Sequence, residues 1–350
     1  MIGDTSLDEI DANPRWPLQQ GPNGHADGES FTQLVSAQLQ ERWAQGSSLL
    51  DSICRYALTP TGKLFRPTLL LESALAVGGS LRSVLPAAVG AECGHVASLI
   101  HDDIIDGDDL RRGRPSVQYK FGAGDAIVAG DALIFDLFAS LAECRRTGVT
   151  DSAVVSALEA VARAGLDLCR GQSMEAELCR NRLLDANAYL TMASLKTAAY
   201  FRGACESGAI LGGGSPELVG ALGRYGEHLG VAFQIHDDLL PYISDTESMG
   251  KPGTSDIKNG RLTLPIILAY ESATPAERLF IKNALSSQDD SAHTLASLRD
   301  LLERTGAIAA ASGTARQHAQ GARQALMELP PTPSRDRLSL LTDVVIDRDR

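Results

Sequence analysis

Between Pro67 and Leu240 the chain is a succession of Ala- and Leu-rich runs, of which Leu69-Leu70-Leu71-Glu72-Ser73-Ala74-Leu75 is typical. Glycine and proline breakers separate them at Gly78-Gly79, Gly113-Arg114-Pro115 and Gly212-Gly213-Gly214-Ser215-Pro216, and another follows at Lys251-Pro252-Gly253. Straight-chain and small residues lose little freedom in a helix, and alternating β-branched segments are scarce. The pattern predicts an all-α fold of ten to thirteen helices of ordinary length. Ser30 is placed to cap the first, whose apolar positions Leu34, Val35, Leu39 and Trp43 recur at helical spacing. Residues 1–28 mix Asn, Pro, Gly and Asp without periodicity and read as a flexible arm, leaving a single all-α domain over residues 29–350 whose end, from Asp343, is expected to fray.

A chain of 350 residues buries a large core without disulfides or structural metals. Its net charge of −12 argues against nucleic acid as a partner. No charge-free apolar window of roughly 18 residues is evident, so no membrane span is expected. No export signal is read near Met1, and the six cysteines stand singly, without metal-ligand spacing. They read as small core residues in a reducing compartment, which predicts a cytoplasmic protein.

The run Ser98-Leu99-Ile100-His101-Asp102-Asp103-Ile104-Ile105-Asp106 sets three carboxylates in an apolar helical stretch. Asp102 and Asp106 share a face, whereas Asp103 points about 100° away. Carboxylates one turn apart repel unless a cation lies between them, and magnesium, which completes its shell with water and phosphate oxygens, is the natural guest. A second pair, Asp237-Asp238, follows another apolar run and favours a shared metal site over two solvated faces. His101-Asp102 and His236-Asp237 also match the metal pairs of helical phosphohydrolases, but the isolated upstream histidine and downstream aspartate of such a site cannot be singled out. Cationic clusters flank the acids: Gly62-Lys63-Leu64-Phe65-Arg66-Pro67, Arg111-Arg112-Gly113-Arg114-Pro115, and Gly250-Lys251 through Lys258 to Gly260-Arg261. Acids with metal, ringed by arginine forks and lysine point charges, describe a site for two diphosphates.

In these motifs, taken in order, the chain resembles the all-trans isoprenyl diphosphate synthases, or polyprenyl synthetases. Gly62 to Pro67 is similar to the family's G-K-x-x-R-P box, Asp102 to Asp106 to its first aspartate-rich motif, and Arg111-Arg112-Gly113 to the R-R-G that follows. Gly171-Gln172 with Glu175 resembles the G-Q box, Lys196-Thr197 the K-T pair, Phe233 to Leu240 the second aspartate-rich motif, and Lys251 to Pro265 the closing segment. The resemblance implies a bundle around a central cavity, and a prenyltransferase that condenses isopentenyl diphosphate with an allylic diphosphate, using magnesium, in three ions, bound with substrate. It implies that Asp102, Asp106 and Asp237, with Asp103 and Asp238 counted among the candidates, hold the metal. Arg111, Lys196 and Lys251 would grip the allylic diphosphate, while Lys63, Arg66, His95 and Arg112 would bind isopentenyl diphosphate. Gln234 with Thr197 would line the space where the allylic cation forms, and Gln172 and Arg261 join the substrate-binding set. A homodimer is implied as well.

One departure stands out: Pro241 replaces the last aspartate of the second motif. It motivates a rival reading as a non-catalytic or modifying subunit of a heteromeric synthase, against which Asp102, Asp106, Lys63, Arg66, Arg111 and Arg112 are retained. A class I terpene cyclase would lack the Lys63, Arg66 and Arg112 clamp. For product length, the positions one and two turns before Asp102 are small, with Ser98, Ala97 and Gly94 as candidate chain-length residues. Members that stop early resemble one another in an aromatic at the positions of Ser98 or Ala97, so a C20 or longer product is expected, with Phe135 and Phe138 as candidates for a floor.

Overall fold

The computed structural model describes residues 30–44, 46–243, 257, 259–287 and 291–347. The described residues form α1 (Phe31–Ala44), α2 (Leu49–Leu58), α3 (Phe65–Ala76), α4 (Leu81–Asp106), α5 (Val117–Phe121), α6 (Ala123–Glu143), α7 (Asp151–Asn181), α8 (Ala186–Ala193), α9 (Ala199–Leu211) and α10 (Pro216–Ile243). They continue with α11 (Leu264–Ser272), α12 (Pro275–Ser287), α13 (Ala292–Arg304), α14 (Ala307–Leu326) and α15 (Pro333–Asp347). The fold is the all-α bundle expected. The helical segments are slightly more numerous than predicted because α5 is only a turn and a half and because the 186–211 run is divided by a π-helical turn. Two-residue strands β1 (Leu110–Arg111) and β2 (Arg114–Pro115) pair antiparallel between α4 and α5.

Local chemistry sets the boundaries. The Ser30 hydroxyl accepts from the Gln33 amide at 3.3 Å while Gln33 Oε1 accepts from the Ser30 amide at 2.8 Å, the reciprocal cap that starts α1. Ser48 and Asp51 do the same for α2. α4 stops at Gly107, whose φ of 65° is the left-handed conformation glycine adopts without a Cβ penalty. That stop puts Asp102 and Asp106 in the last turns of α4.

Helix α4 is the centre of the bundle, packed on α3 and α6, while α10 packs on α9 and α14, and α7 on α9. By length and hydropathy alone α4 is long and apolar enough to cross a membrane, but it carries Glu92 within any 18-residue stretch, as the absence of a charge-free window in the sequence requires, and 61% of its most apolar window is buried by its neighbours. It is apolar all round because it is enclosed. The C-terminal helix is ordered through Asp347 rather than frayed from Asp343, because Asp343 pairs with Arg323 of α14. Arg337 of α15 also reaches Glu72 of α3, its Nε and Nη2 donating to the two carboxylate oxygens at 2.5 and 2.9 Å. The N-terminal arm expected over residues 1–28 lies outside the described residues. The cysteines are all free; Cys54, Cys93, Cys144 and Cys205 are buried as core residues, whereas Cys179 is half-buried and Cys169 exposed, contrary to the expectation that all six are core.

Candidate active site

A cavity of about 920 Å³ opens among α3, α4, α7, α8, α9 and α10 and takes in Asp102, Asp106 and Asp237. These acids sit in the last two turns of α4 and α10, so two helix C-termini, each carrying partial negative charge, aim carboxylates into one space. The repulsion has to be met by cations. Arg261 pairs with Asp106, and Lys196 and Arg261 act on Asp102, yet burial, with the neighbouring Asp106, still raises the Asp102 carboxyl above its ordinary value. Among the described residues no three His, Cys, Asp or Glu side chains converge closely enough to enclose a metal. The acids instead form an open set, the arrangement suited to a cation that takes one or two carboxylates and completes its shell with water and phosphate oxygens.

One of the five expected ligands is placed otherwise. Asp103 is buried on the neighbouring face of α4, where Arg111 Nε donates to it at 2.8 Å, and it faces a separate small cleft with Tyr56, Val96 and Arg114. The 100° step between successive helix residues turns it away from the cavity. Asp238 borders the cavity, but Tyr189 donates to its Oδ2 at 2.6 Å and Gln234 to its Oδ1 at 2.8 Å. Thr197 donates to Gln234 Oε1 at 2.5 Å, so Thr197, Gln234, Asp238 and Tyr189 form one chain that ties α8 and the π turn to α10. Asp238 thus borders the cavity with both carboxylate oxygens already accepting hydrogen bonds.

Lys196 owes its position to the π turn over Ser194–Ala198, a local widening of the helix that occurs most often at functional sites. A Cβ at Gly171 would collide with the Lys196 backbone, so this glycine lets α7 approach the turn. Lys196 Nζ then reaches Glu175 Oε2 at 2.5 Å on the cavity wall. Gln172 lies on the same helix with its Oε1 buried and without a partner, and its Nε2 donates to Glu175 at 3.4 Å.

The second cationic group is built from strained loops. Leu64 (φ 50°) starts α3 and Arg112 (φ 53°) turns β1 into β2, both in the left-handed region that costs a non-glycine residue about 1–2 kcal/mol. A Cβ at Gly62 would strike the Arg112 guanidinium, so the two loops meet. Arg66 Nη1 donates to His95 Nε2 at 3.3 Å, and its guanidinium carbon Cζ lies 4.9 Å from the Phe201 ring centre. Burial, then Arg66, Arg112 and Arg111, hold His95 well below its ordinary pKa, so it is neutral; as an acceptor at Nε2 it carries its proton on Nδ1. Arg66, His95, Arg111 and Arg112 line the cavity, whereas Lys63 stands exposed on the loop beside it. Lys251 lies outside the described residues. Arg261 is on the cavity wall, opposite in charge to Asp106.

Of the candidate chain-length residues, Ser98 lines the cavity. Ala97 is fully buried, and Gly94 packs so closely on Tyr200 and Leu137 that a Cβ there would collide with both. Phe135 is 74% exposed and cannot floor a tunnel within this chain, while Phe138 packs against the core. The sequence reading missed Glu92, Tyr189 and Tyr200, all buried at or beside the site. An acid three residues before His95 shares its helical face, and that spacing was the one available signal for Glu92.

The chain matches the Polyprenyl synthetase family over residues 47–302. It is similar to a short chain isoprenyl diphosphate synthase from Methanothermobacter thermautotrophicus, with 38% identity covering 84% of this chain and 89% of the relative. Among solved structures it resembles a geranylgeranyl pyrophosphate synthetase from Pyrococcus horikoshii, with a TM-score of 0.83 and 32% identity over 90% of this chain and 95% of that one. A geranylgeranyl pyrophosphate synthase from Corynebacterium glutamicum gives a TM-score of 0.82 at 27% identity, covering 91% and 98% of the two chains. The order of motifs, the open carboxylate set and the extent of the match lead to one conclusion: the chain belongs to the polyprenyl synthetase family and is an all-trans prenyltransferase.

Proposed function

We propose that the cavity joins isopentenyl diphosphate to an allylic diphosphate, head to tail and with magnesium, and that the product is C20 or longer. The observation that carries this reading is the meeting of two acid-bearing helix C-termini with two separate cationic groups in one cavity. Asp102, Asp106 and Asp237 would hold magnesium, which when bound would supply positive charge to offset the negative charge developing on the departing diphosphate. That fit is supported by the donor chemistry, and a relative from Corynebacterium glutamicum was solved with isoprenyl diphosphate and magnesium.

Lys196, steadied by Glu175, adds a fixed cation at the same end, and a group already in place stabilises developing charge without reorganisation. Arg66, Arg112 and neutral His95 hold the second diphosphate, which fixes the homoallylic double bond near the allylic C1. The Thr197 hydroxyl and Gln234 carboxamide present polar groups to the forming cation, and the Phe233 ring on the same wall helps exclude water.

We also place a two-fold contact between copies on the exposed apolar side chains Ile127, Val128 and Phe135 of α6 and Val155 and Leu166 of α7. A modifying-subunit role is not favoured, since both cationic groups and the three facing aspartates are intact. The test is incubation of the purified chain with labelled isopentenyl diphosphate, each allylic diphosphate, and magnesium or chelator, followed by chromatography of the dephosphorylated products. Condensation by the chain alone supports the reading; none with any starter overturns it.

A further inference from the structure

The clamp formed by Arg66, His95 and Arg112 is backed by an acid that the condensation does not use. Glu92 is 1% exposed and lies one turn before His95 on α4. Its Oε2 is buried without a hydrogen-bond partner, and the same holds for Arg66 Nε and His95 Nδ1. Three buried polar atoms without a protein partner, on neighbouring side chains, point to a group that binds among them, because burying such atoms unpaired costs desolvation energy.

We infer that Glu92 is a proton-uptake site, a positioning residue whose carboxylate gains a proton from solvent as a diphosphate enters the Arg66 and Arg112 clamp. The inference rests on the reading of that clamp as the isopentenyl diphosphate site. The groups acting with Glu92 are Arg66 from α3, Arg112 from the β1–β2 turn, the Tyr200 phenol from α9 and Cys93 of α4, and His95 lies one turn further along α4. Asp136 of α6 reaches this region through Cys93, whose thiol donates to it at 3.3 Å. Burial holds Tyr200 and Cys93 in their protonated, neutral forms, and His95 is neutral. The variable charges are therefore Glu92 and the ligand.

Without ligand, Arg66 and Arg112 partly offset the burial of Glu92, whose carboxyl is pushed up to about 7. A diphosphate engages those same guanidiniums and sets several negative charges beside the carboxylate, which disfavours the ionised acid further. The balance is one proton taken from bulk water or buffer and one O–H bond formed at the carboxylate; no electron moves. The protonated acid then has a donor to offer, and the net charge of the clamp rises by one as the anion binds.

The experiment is calorimetric titration of the full chain with isopentenyl diphosphate, without allylic substrate, in buffers of different ionisation enthalpy, for wild type and Glu92→Gln. The ligand's own ionisation is common to both proteins and cancels in the difference. Wild type is expected to take up more protons than the variant by roughly a tenth of a proton at pH 6, about half at pH 7 and close to one at pH 8. Its dissociation constant should rise by up to about tenfold per pH unit above 7, a slope the variant lacks. Equal proton counts with both proteins binding overturn the inference and leave the clamp assignment intact. Wild type failing to bind isopentenyl diphosphate overturns the clamp assignment, and the inference with it. If Glu92→Gln does not fold, infrared difference spectra of the wild type decide: a carboxylic-acid C=O band must grow as ligand is added at pH 8, and a spectrum without it overturns the inference.

Discussion

Tyr189 donates its hydroxyl to Asp238 across 2.6 Å, a side-chain partner on the wall of the cavity that Asp237 and Asp238 both line. Asp237→Ala is expected to cost several orders of magnitude in turnover and to raise the magnesium requirement. Asp238→Asn and Tyr189→Phe should lower the unfolding midpoint and cost about tenfold in turnover with the magnesium requirement unchanged, as loss of a charge-assisted hydrogen bond of about 1.5–3 kcal/mol implies. Magnesium titrations of initial rate distinguish the two classes; equal magnesium shifts in all three variants would place Asp238 among the ligands.

Pro241 sits inside α10, where its ring nitrogen cannot donate to the Asp237 carbonyl one turn back, and it lines the cavity at the position where an acid is expected. Pro241→Asp restores a backbone donor and adds a carboxylate near the metal-binding acids. A modest fall in the magnesium concentration for half-maximal rate is expected, with turnover changed by less than about tenfold. A loss as large as that of Asp237→Ala would show that the proline shapes the site in a way that the acid disrupts.

Asp102 and Asp106 were legible before the fold because helical periodicity fixes which acids share a face. The same geometry turned Asp103 aside, and counting it among the ligands gave the motif more weight than the 100° step allows. Glu92 was not legible, since one glutamate in an apolar helix looks the same whether its face meets solvent or two arginines. Tyr189 and Tyr200 come to the site from helices about a hundred residues away from α4, and the π turn under Lys196 leaves no mark in residue spacing. Local pattern thus gave the helices and the acid faces, while tertiary packing alone decides which polar side chains are buried together.

Glu92 also ties stability to pH. Its carboxyl rises from an ordinary 4.5 to about 7 in the folded protein, so between those values the folded state holds more protons than the unfolded chain. The stability contributed is fully present below pH 4.5 and is lost as pH rises through 7. Glu92→Gln cannot ionise, and at pH 8 it should exceed wild type by on the order of 3 kcal/mol, with the gap closing by pH 4. Denaturant unfolding midpoints across that range measure it, and a constant difference would mean that Glu92 does not titrate there.

Arg337 ties α15 to the core helix α3 by a bidentate contact with Glu72. Glu72 is fully buried, so Arg337→Ala leaves a carboxylate without its bidentate cation, at a cost of about 3–5 kcal/mol. The double change Glu72→Met with Arg337→Met removes both charges and is expected to recover most of that loss. Chemical denaturation of the single and double variants tests it; equal destabilisation in both would show that packing, not charge, holds α15.

Product length should be set from Ser98. Its side chain lies on the cavity wall one turn before Asp102, and its hydroxyl donates back to the His95 carbonyl at 2.8 Å, which folds the small side chain away from the space. Leu99 shares the cavity wall at this level of α4, so Ser98 is the small side chain beside a bulky one, one turn before Asp102. Ala97 is turned another 100° around the helix and is fully buried, and Gly94 is closed over by Tyr200 and Leu137. Of the three small positions, one can be enlarged into the cavity without first displacing a neighbour. Ser98→Phe adds a ring to that wall and should shorten the product by at least one isoprene unit, at about 5 Å per unit, while turnover with a short starter is retained. Ala97→Phe inserts the same ring into packed side chains and should cost about 1–3 kcal/mol of stability. Chromatography of the products with thermal unfolding of both variants checks the pair. Shortening by Ala97→Phe but not by Ser98→Phe would mean that the chain runs along the α6 side of α4, behind the wall that Ser98 lines.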